Sequence, residues 1–217
     1  MTKLFRLSLL ILCIFLPGCG TYYAVSVDSQ MGTATPSGPN CLLVSGTEGV
    51  GENDPIFLEL ARLTAPALRA NGYEPILTRD AAQALIKLSW WQEEPRTYTD
   101  ISYVTRSYPV EVGWGRHRHL DFIYVDEPVI TTGTIHTANL LLEGYELDKG
   151  KETGRLLWRT ALRSAGENAD YRVRLFCMAQ VLPQVLGTQS GGSQRYDVFL
   201  GNDGKITVEH LGMGILQ

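Results

Sequence analysis

The chain is poor in the residues that build catalytic and metal centres. It holds four histidines and four cysteines in 217 residues. His117 and His119 alternate with Arg116 and Arg118 beside Asp121. Alternating histidines on a strand face one way and suit a metal, but two arginines interleave and no third and fourth ligand is evident, so a solvated basic strand or loop explains them better. His136 and His210 stand alone. The Gly-x-Ser-x-Gly elbow of hydrolases is missing. Gly46, Gly49 and Gly51 lack the spacing and the Lys-Ser/Thr ending of a phosphate loop, and they make no dinucleotide fingerprint. Glu93 and Glu94 stand beside Pro95, as in a polar turn rather than an acid/base pair. A basic excess is lacking too: 19 Lys and Arg against 23 Asp and Glu give a net charge of −4. That argues against nucleic acid as a partner, because phosphate binding wants a positive surface. No cofactor is implied.

Long apolar runs are also scarce. The one present is short and sits at the start. Lys3 and Arg6 precede Leu7 to Leu16, the length of a secretory h-region and too short for a helix that crosses a bilayer, which needs about 20 residues. The run ends in Leu16-Pro17-Gly18-Cys19. This resembles the lipobox of bacterial lipoproteins, with Pro17 departing from the commoner small or β-branched choice. The resemblance implies cleavage after residue 18, acyl chains on Cys19, and a membrane as the first partner. An ordinary cleaved signal with a chance cysteine is the plainer alternative. Gly20, with no Asp beside the anchor, implies by the same resemblance the periplasmic face of the outer membrane. Cleavage removes two positive charges and no acids, taking the net charge from −4 to about −6.

About 200 residues remain, enough for one domain spanning 19–217. Cys41 and Cys177 remain with it, an even pair in an oxidising compartment. They form either a disulfide, which needs Cα atoms within about 7 Å, or two buried free thiols packed as small hydrophobes.

Periodicity gives an α/β order. Tyr22 to Asp28 and Cys41 to Ser45 read as strands. A helix opens at Asp54-Pro55 with an apolar stripe at Ile56, Leu60, Leu63 and Ala67, an expected kink at Pro66, and a stop at Gly72. Strands follow at Tyr73 to Thr78 and Leu85 to Trp91, with a helical turn at Arg79 to Gln83 between them. Gly133 to Leu147 and Leu156 to Ser164 pair across a charged loop, with Arg159 and Arg163 sharing one face. A second helix from Asp170 to Leu186 carries Tyr171, Leu175, Met178, Leu182 and Val185. A terminal hairpin turns at Gly201 to Gly204. The expected fold is an α/β sandwich with a mixed, largely antiparallel sheet and two main helices on one face.

Between these elements, residues 96–132 are β-like but irregular, a long hairpin or a mobile excursion. They hold Tyr98, Tyr103, Tyr108, Trp114, Phe122 and Tyr124 among arginines, the residues that interfaces favour. The alternative is that these side chains only line the second face of a hairpin.

Tyr22 to Ser29, Leu43 to Val50, Leu141 to Asp148, Leu157 to Thr160 and Pro183 to Gly187 together resemble a family of bacterial envelope lipoproteins classed as a domain of unknown function. In element order it is similar to the small α/β domains of lipoproteins that assemble secretion channels or activate wall synthases. The resemblance brings no catalytic residues. The expectation is a non-enzymatic lipoprotein that binds or helps assemble another envelope protein. The alternatives are a periplasmic hydrolase or metal-dependent enzyme built on His117, His119 and Asp121, and a structural tether between outer membrane and wall. The anchor leads almost directly into the first strand, so the domain is expected close to the membrane, with the Tyr-rich excursion reaching away from it.

Overall fold

The computed structural model describes residues 20–213; Cys19 and the segment read as a leader lie outside the described residues. The elements are β1 (Thr21–Met31), β2 (Asn40–Ser45), α1 (Pro55–Ala70), β3 (Glu74–Ile76), β4 (Ala84–Gln92), β5 (Arg96–Val112), β6 (His119–Asp148), β7 (Lys151–Gly166), α2 (Tyr171–Val185), β8 (Gln194–Leu200) and β9 (Ile206–Met213). The sheet order is β3-β2-β4-β6-β7-β1-β8-β9, with β5 pairing β6. β2 pairs in parallel with β3 and β4; every other pairing is antiparallel. The fold is the mixed α/β sheet with two helices that the sequence implies.

Strand alternation sends one set of side chains toward the helices. Val25 and Val27, Ile86 and Leu88, Leu140 and Leu142, and Leu162 are buried there. α1 starts where Asp54 Oδ1 accepts from the amides of Ile56 and Phe57, at 2.8 and 3.2 Å, satisfying donors that have no partner in the first turn. Its core stripe is rotated from the expected one. Phe57, Leu60, Thr64, Ala67 and Leu68 are buried, whereas Ile56 and Leu63 are half-buried. Pro66 lies inside what is a single helix. α2 buries Leu175, Met178, Leu182 and Val185 as expected, with Cys177 and Val181 added and Tyr171 half-buried.

Trp158 is the largest fully buried side chain among the described residues, 1% exposed. Its Nε1 donates to the Tyr73 hydroxyl at 2.8 Å. It lies opposite Gly144 in the β6–β7 ladder, where a Cβ would come within 2.8 Å of the indole. Buried Arg174 donates from Nε and Nη2 to the Asn168 carbonyl, at 3.2 and 2.7 Å. Burial lowers its pKa.

Cys41 and Cys177 correct the disulfide reading. Both are free and fully buried. Burial pushes the Cys41 thiol up to about 12 and Cys177 up to about 11. They fill apolar space as small hydrophobes.

β5 and β6 correct the irregular reading of residues 96–132. β6 is one 30-residue strand and begins at His119, not Gly133. Seventeen consecutive pairs, from Arg96↔Ile135 to Val112↔His119, join it to β5 without a register shift. Gly133 does not break the strand, because the Tyr98 ring directly opposite covers it; a Cβ there would meet that ring at 2.6 Å. This is the aromatic cover that glycine in a sheet favours.

Topology fixes which end of the body this hairpin leaves. β7 ends at Gly166 opposite His136, where β6 emerges from the body. β1 runs antiparallel to β7, with Val25 opposite Ser164 and Met31 opposite Trp158. Thr21 therefore lies at the same end as the hairpin's root. β1 is two strands from β6, about 10 Å across the sheet. The hairpin does not leave by the end remote from the chain's start, which corrects the expectation that it points away from an anchor there.

Candidate functional site

The hairpin is an arm. Each strand outside the body is about 55 Å long at the ordinary rise per residue. Among the described residues it packs on the body only at its root. There Glu93 gathers the contacts. Arg163 reaches it with Nε at 3.1 Å and Nη2 at 3.2 Å, Asn139 Nδ2 donates at 3.1 Å, and Arg96 lies at 3.8 Å. The Glu93 amide donates to the Thr137 carbonyl at 3.0 Å, joining the body ladder to the arm ladder. The Arg163 bonds, then the Asn139 bond, hold the Glu93 carboxyl below its ordinary pKa. Tyr98 adds a hydroxyl bond to Glu167.

Beyond the root the ribbon has two unlike faces, set by strand alternation. One carries Tyr98, Arg106 and Tyr108 of β5 with Ile123, Val125 and Glu127 of β6. Here Arg106 pairs with Glu127 at 2.9 Å, and the Tyr108 hydroxyl also bonds Glu127. The other carries Ile101 and Tyr103 of β5 with Leu120, Phe122, Tyr124 and Ile130 of β6. Its acids are Glu111 near the tip and Asp126, which accepts from Thr105 Oγ1 at 2.6 Å. Every arginine in the two strands, Arg96 and Arg106, lies on the first face. The tip is Gly113 to Arg118, where Trp114 is 93% exposed. Tyr103 and Tyr124 are 70% and 73% exposed.

The six predicted contact residues are therefore all on the arm, but not on one surface. Tyr98 and Tyr108 are on the Arg106 face, and both are spent on carboxylates. Tyr103, Phe122 and Tyr124 share the Ile101 face, and Trp114 is at the tip. Five of the six line the faces of a hairpin, as the alternative has it, but Tyr103, Phe122, Tyr124 and the tip's Trp114 are exposed and not packed against the body. His117 sits in the tip turn and His119 opens β6 with Asp121 on the Arg106 face. Among the described residues no group of three or more His, Cys, Asp or Glu is placed to hold a metal ion.

Sequence reasoning missed the body's second face. Opposite the helices, Ser26, Asp28, Trp91, Asn139, Arg159 and Arg163 line an open groove of about 370 Å³. Its cations are already matched: Arg163 by Glu93, and Arg159 by Glu143 at 3.5 Å. Nearby, Lys87 pairs with Glu152 at 2.8 Å and lies 4.5 Å above the Tyr145 ring. The shared face of Arg159 and Arg163 was the legible signal. Their partner Glu93 was not, because it lies about 70 residues away in sequence.

No family model matches the chain, and no curated protein matches it. Among solved structures it is similar to a PDZ domain protein from Parabacteroides distasonis, at 11% identity and a TM-score of 0.39. That match covers 84% of this chain and 40% of the other, so this chain spans less than half of that protein. It is also similar to the PelC dodecamer from Paraburkholderia phytofirmans, at 11% identity and a TM-score of 0.37, covering 79% of this chain and all of the other. A single-site variant of PelC matches at 13% identity and the same TM-score. Likenesses this distant carry no functional argument.

Proposed function

We propose that the protein is a lipid-anchored lipoprotein of the bacterial envelope, held at the outer membrane through Cys19, and that it binds or helps assemble another envelope component through its arm. The reading is non-enzymatic. The observation that carries it is the arm itself, a ribbon of two 17-residue runs with Ile101, Tyr103, Leu120, Phe122, Tyr124 and Ile130 exposed together. Exposed apolar surface of that extent marks an interaction site, and a free two-stranded ribbon in water is marginally stable at best. The lipobox supports the location.

Two experiments test the two halves. Cys19→Ser should release the protein from membranes and abolish lipid labelling; unchanged fractionation and labelling would refute the anchor. Replacing Thr97 to Thr131 by a short Gly-Ser link should leave the body folded and remove whatever crosslinks to the chain in intact cells. An unfolded body would refute the separation of arm from domain.

A further inference from the structure

We infer that several copies of this chain join arm to arm into a closed β-barrel that crosses the bilayer in which Cys19 is anchored. The inference rests on the anchor reading and names the arm's partners: further copies of the chain along its edges, and lipid on one face.

The first argument is placement. Thr21 lies at the root end of the arm, and Cys19 is two residues earlier, a reach of at most about 7 Å. Acyl chains on Cys19 would put the membrane surface at the level of the arm's root. The arm continues past that level on an unbroken strand for about 55 Å, more than the roughly 30 Å of a hydrocarbon core. A membrane strand needs only about 9–11 residues. No described helix is long and apolar enough to cross; the arm's strands are long enough.

The second argument is the unlikeness of the two faces. The Ile101 face has apolar and aromatic side chains interleaved with Thr, no basic residue, and one mid-strand acid already bonded by Thr105. The Arg106 face carries the ion pair and most of the charge, but it also exposes Val104, Val112, Ile123, Val125 and Val129, so the two faces differ in charge rather than in apolar content. A barrel wall around water places its charged side chains inward and keeps cations off the lipid side, and the arm's charge is divided in that way.

The third argument is the edges. In hydrocarbon each unpaired backbone group costs several kcal/mol, so a lone hairpin with two open edges cannot cross; only closure removes the edges. Pro109 and Pro128 show which backbone groups point outward. Proline cannot donate into the ladder. Pro109 opposes Phe122, and Pro128 opposes Tyr103, six positions along β5. Both are thus in the same class of pair, with their nitrogens on the outer edges. By the same alternation the outward donors on β5 are Thr97, Thr99, Ile101, Tyr103, Thr105 and Ser107, an unbroken row for the β6 edge of a neighbour.

The test uses the full-length acylated chain in phosphatidylethanolamine/phosphatidylglycerol vesicles. Buried Cys41 and Cys177 and acylated Cys19 leave a single engineered thiol open to an environment-sensitive dye, and their failure to label reports an intact body. Tyr103→Cys and Phe122→Cys should emit at shorter wavelength and be quenched by nitroxide lipid. Val104→Cys and Ile123→Cys should be quenched by aqueous iodide. The detergent-extracted protein should run as one oligomer of fixed mass, and Ile101→Pro, which removes an outward donor and leaves the β5–β6 ladder intact, should lose it. An acylated monomer with all four sites open to iodide would overturn the barrel and leave the anchor standing. A chain without acyl groups on Cys19 would remove the anchor and this inference with it.

Discussion

The body and the arm are built from the same strand, yet they obey different rules. Residues 136–148 of β6 lie between β4 and β7 and send Leu140 and Leu142 into a core closed by two helices. Residues 119–135 of the same strand have one neighbour and no cover. Both are extended strand, the body part rich in Leu and the arm part in Val, Ile, Tyr and Thr. What separates them is whether a third layer buries the result. Strand formation is therefore local here, and stability is not. The body owes its order to its own packing, whereas the arm is a ribbon of the kind that needs a partner to persist.

That contrast is open to attack by substitution. The largest effect belongs in the body. Trp158→Ala removes a fully buried indole and its bond to Tyr73 and should cost about 3–5 kcal/mol, read as a large drop in the urea midpoint. Tyr103→Ala and Tyr124→Ala, equally aromatic but exposed, should move that midpoint by no more than about 0.5 kcal/mol. A comparable loss at both places would erase the distinction.

Intermediate effects belong at the root. Glu93→Gln should loosen the arm at a cost of about 1 kcal/mol, since the Arg163 fork is only partly exposed. Amide exchange at Arg96 and Ile135 should report it. The same contact carries a pH signature. Because the folded pKa of Glu93 is lowered, its contribution is fully present above the unfolded value of about 4.3 and is lost as pH falls through the lower folded value. Root amides should exchange faster below that range in the native protein, and Glu93→Gln should show no such step. The smallest effect is chemical. Cys41 and Cys177 should resist alkylation equally with and without reductant until urea unfolds the body, because burial pushes both thiols up, to about 12 and about 11.

The sequence revealed whatever depends on near neighbours. Asp54-Pro55 marks the start of α1 because capping acts within three residues, and the α2 stripe follows from a period of 3.6. The α1 stripe came out rotated because Thr64 and Phe57 pack inside, a choice made by the facing sheet and not by local hydropathy. The arm's regularity was hidden for a related reason. Both of its faces carry apolar and polar side chains, so the period-two signal of a half-buried strand is absent. The six aromatic positions were legible as a group; their division between two faces and a tip follows only from the pairing register. The Cys41–Cys177 bond failed as an inference from compartment and parity, because parity says nothing about distance. The shared end of arm and anchor was out of reach as well, since it depends on the antiparallel order β6-β7-β1.

Hydrogen exchange on two forms of the chain tests the central claim most directly. The soluble Cys19→Ser protein and the acylated protein in vesicles should show the same slow exchange for Leu140, Leu142 and Leu162 in the body. The arm amides from Thr97 to Thr131 should exchange rapidly in the soluble form and become protected in the vesicle form. Arm amides as slow as the body's in the soluble monomer would contradict the account, because the arm would then be stable without any partner.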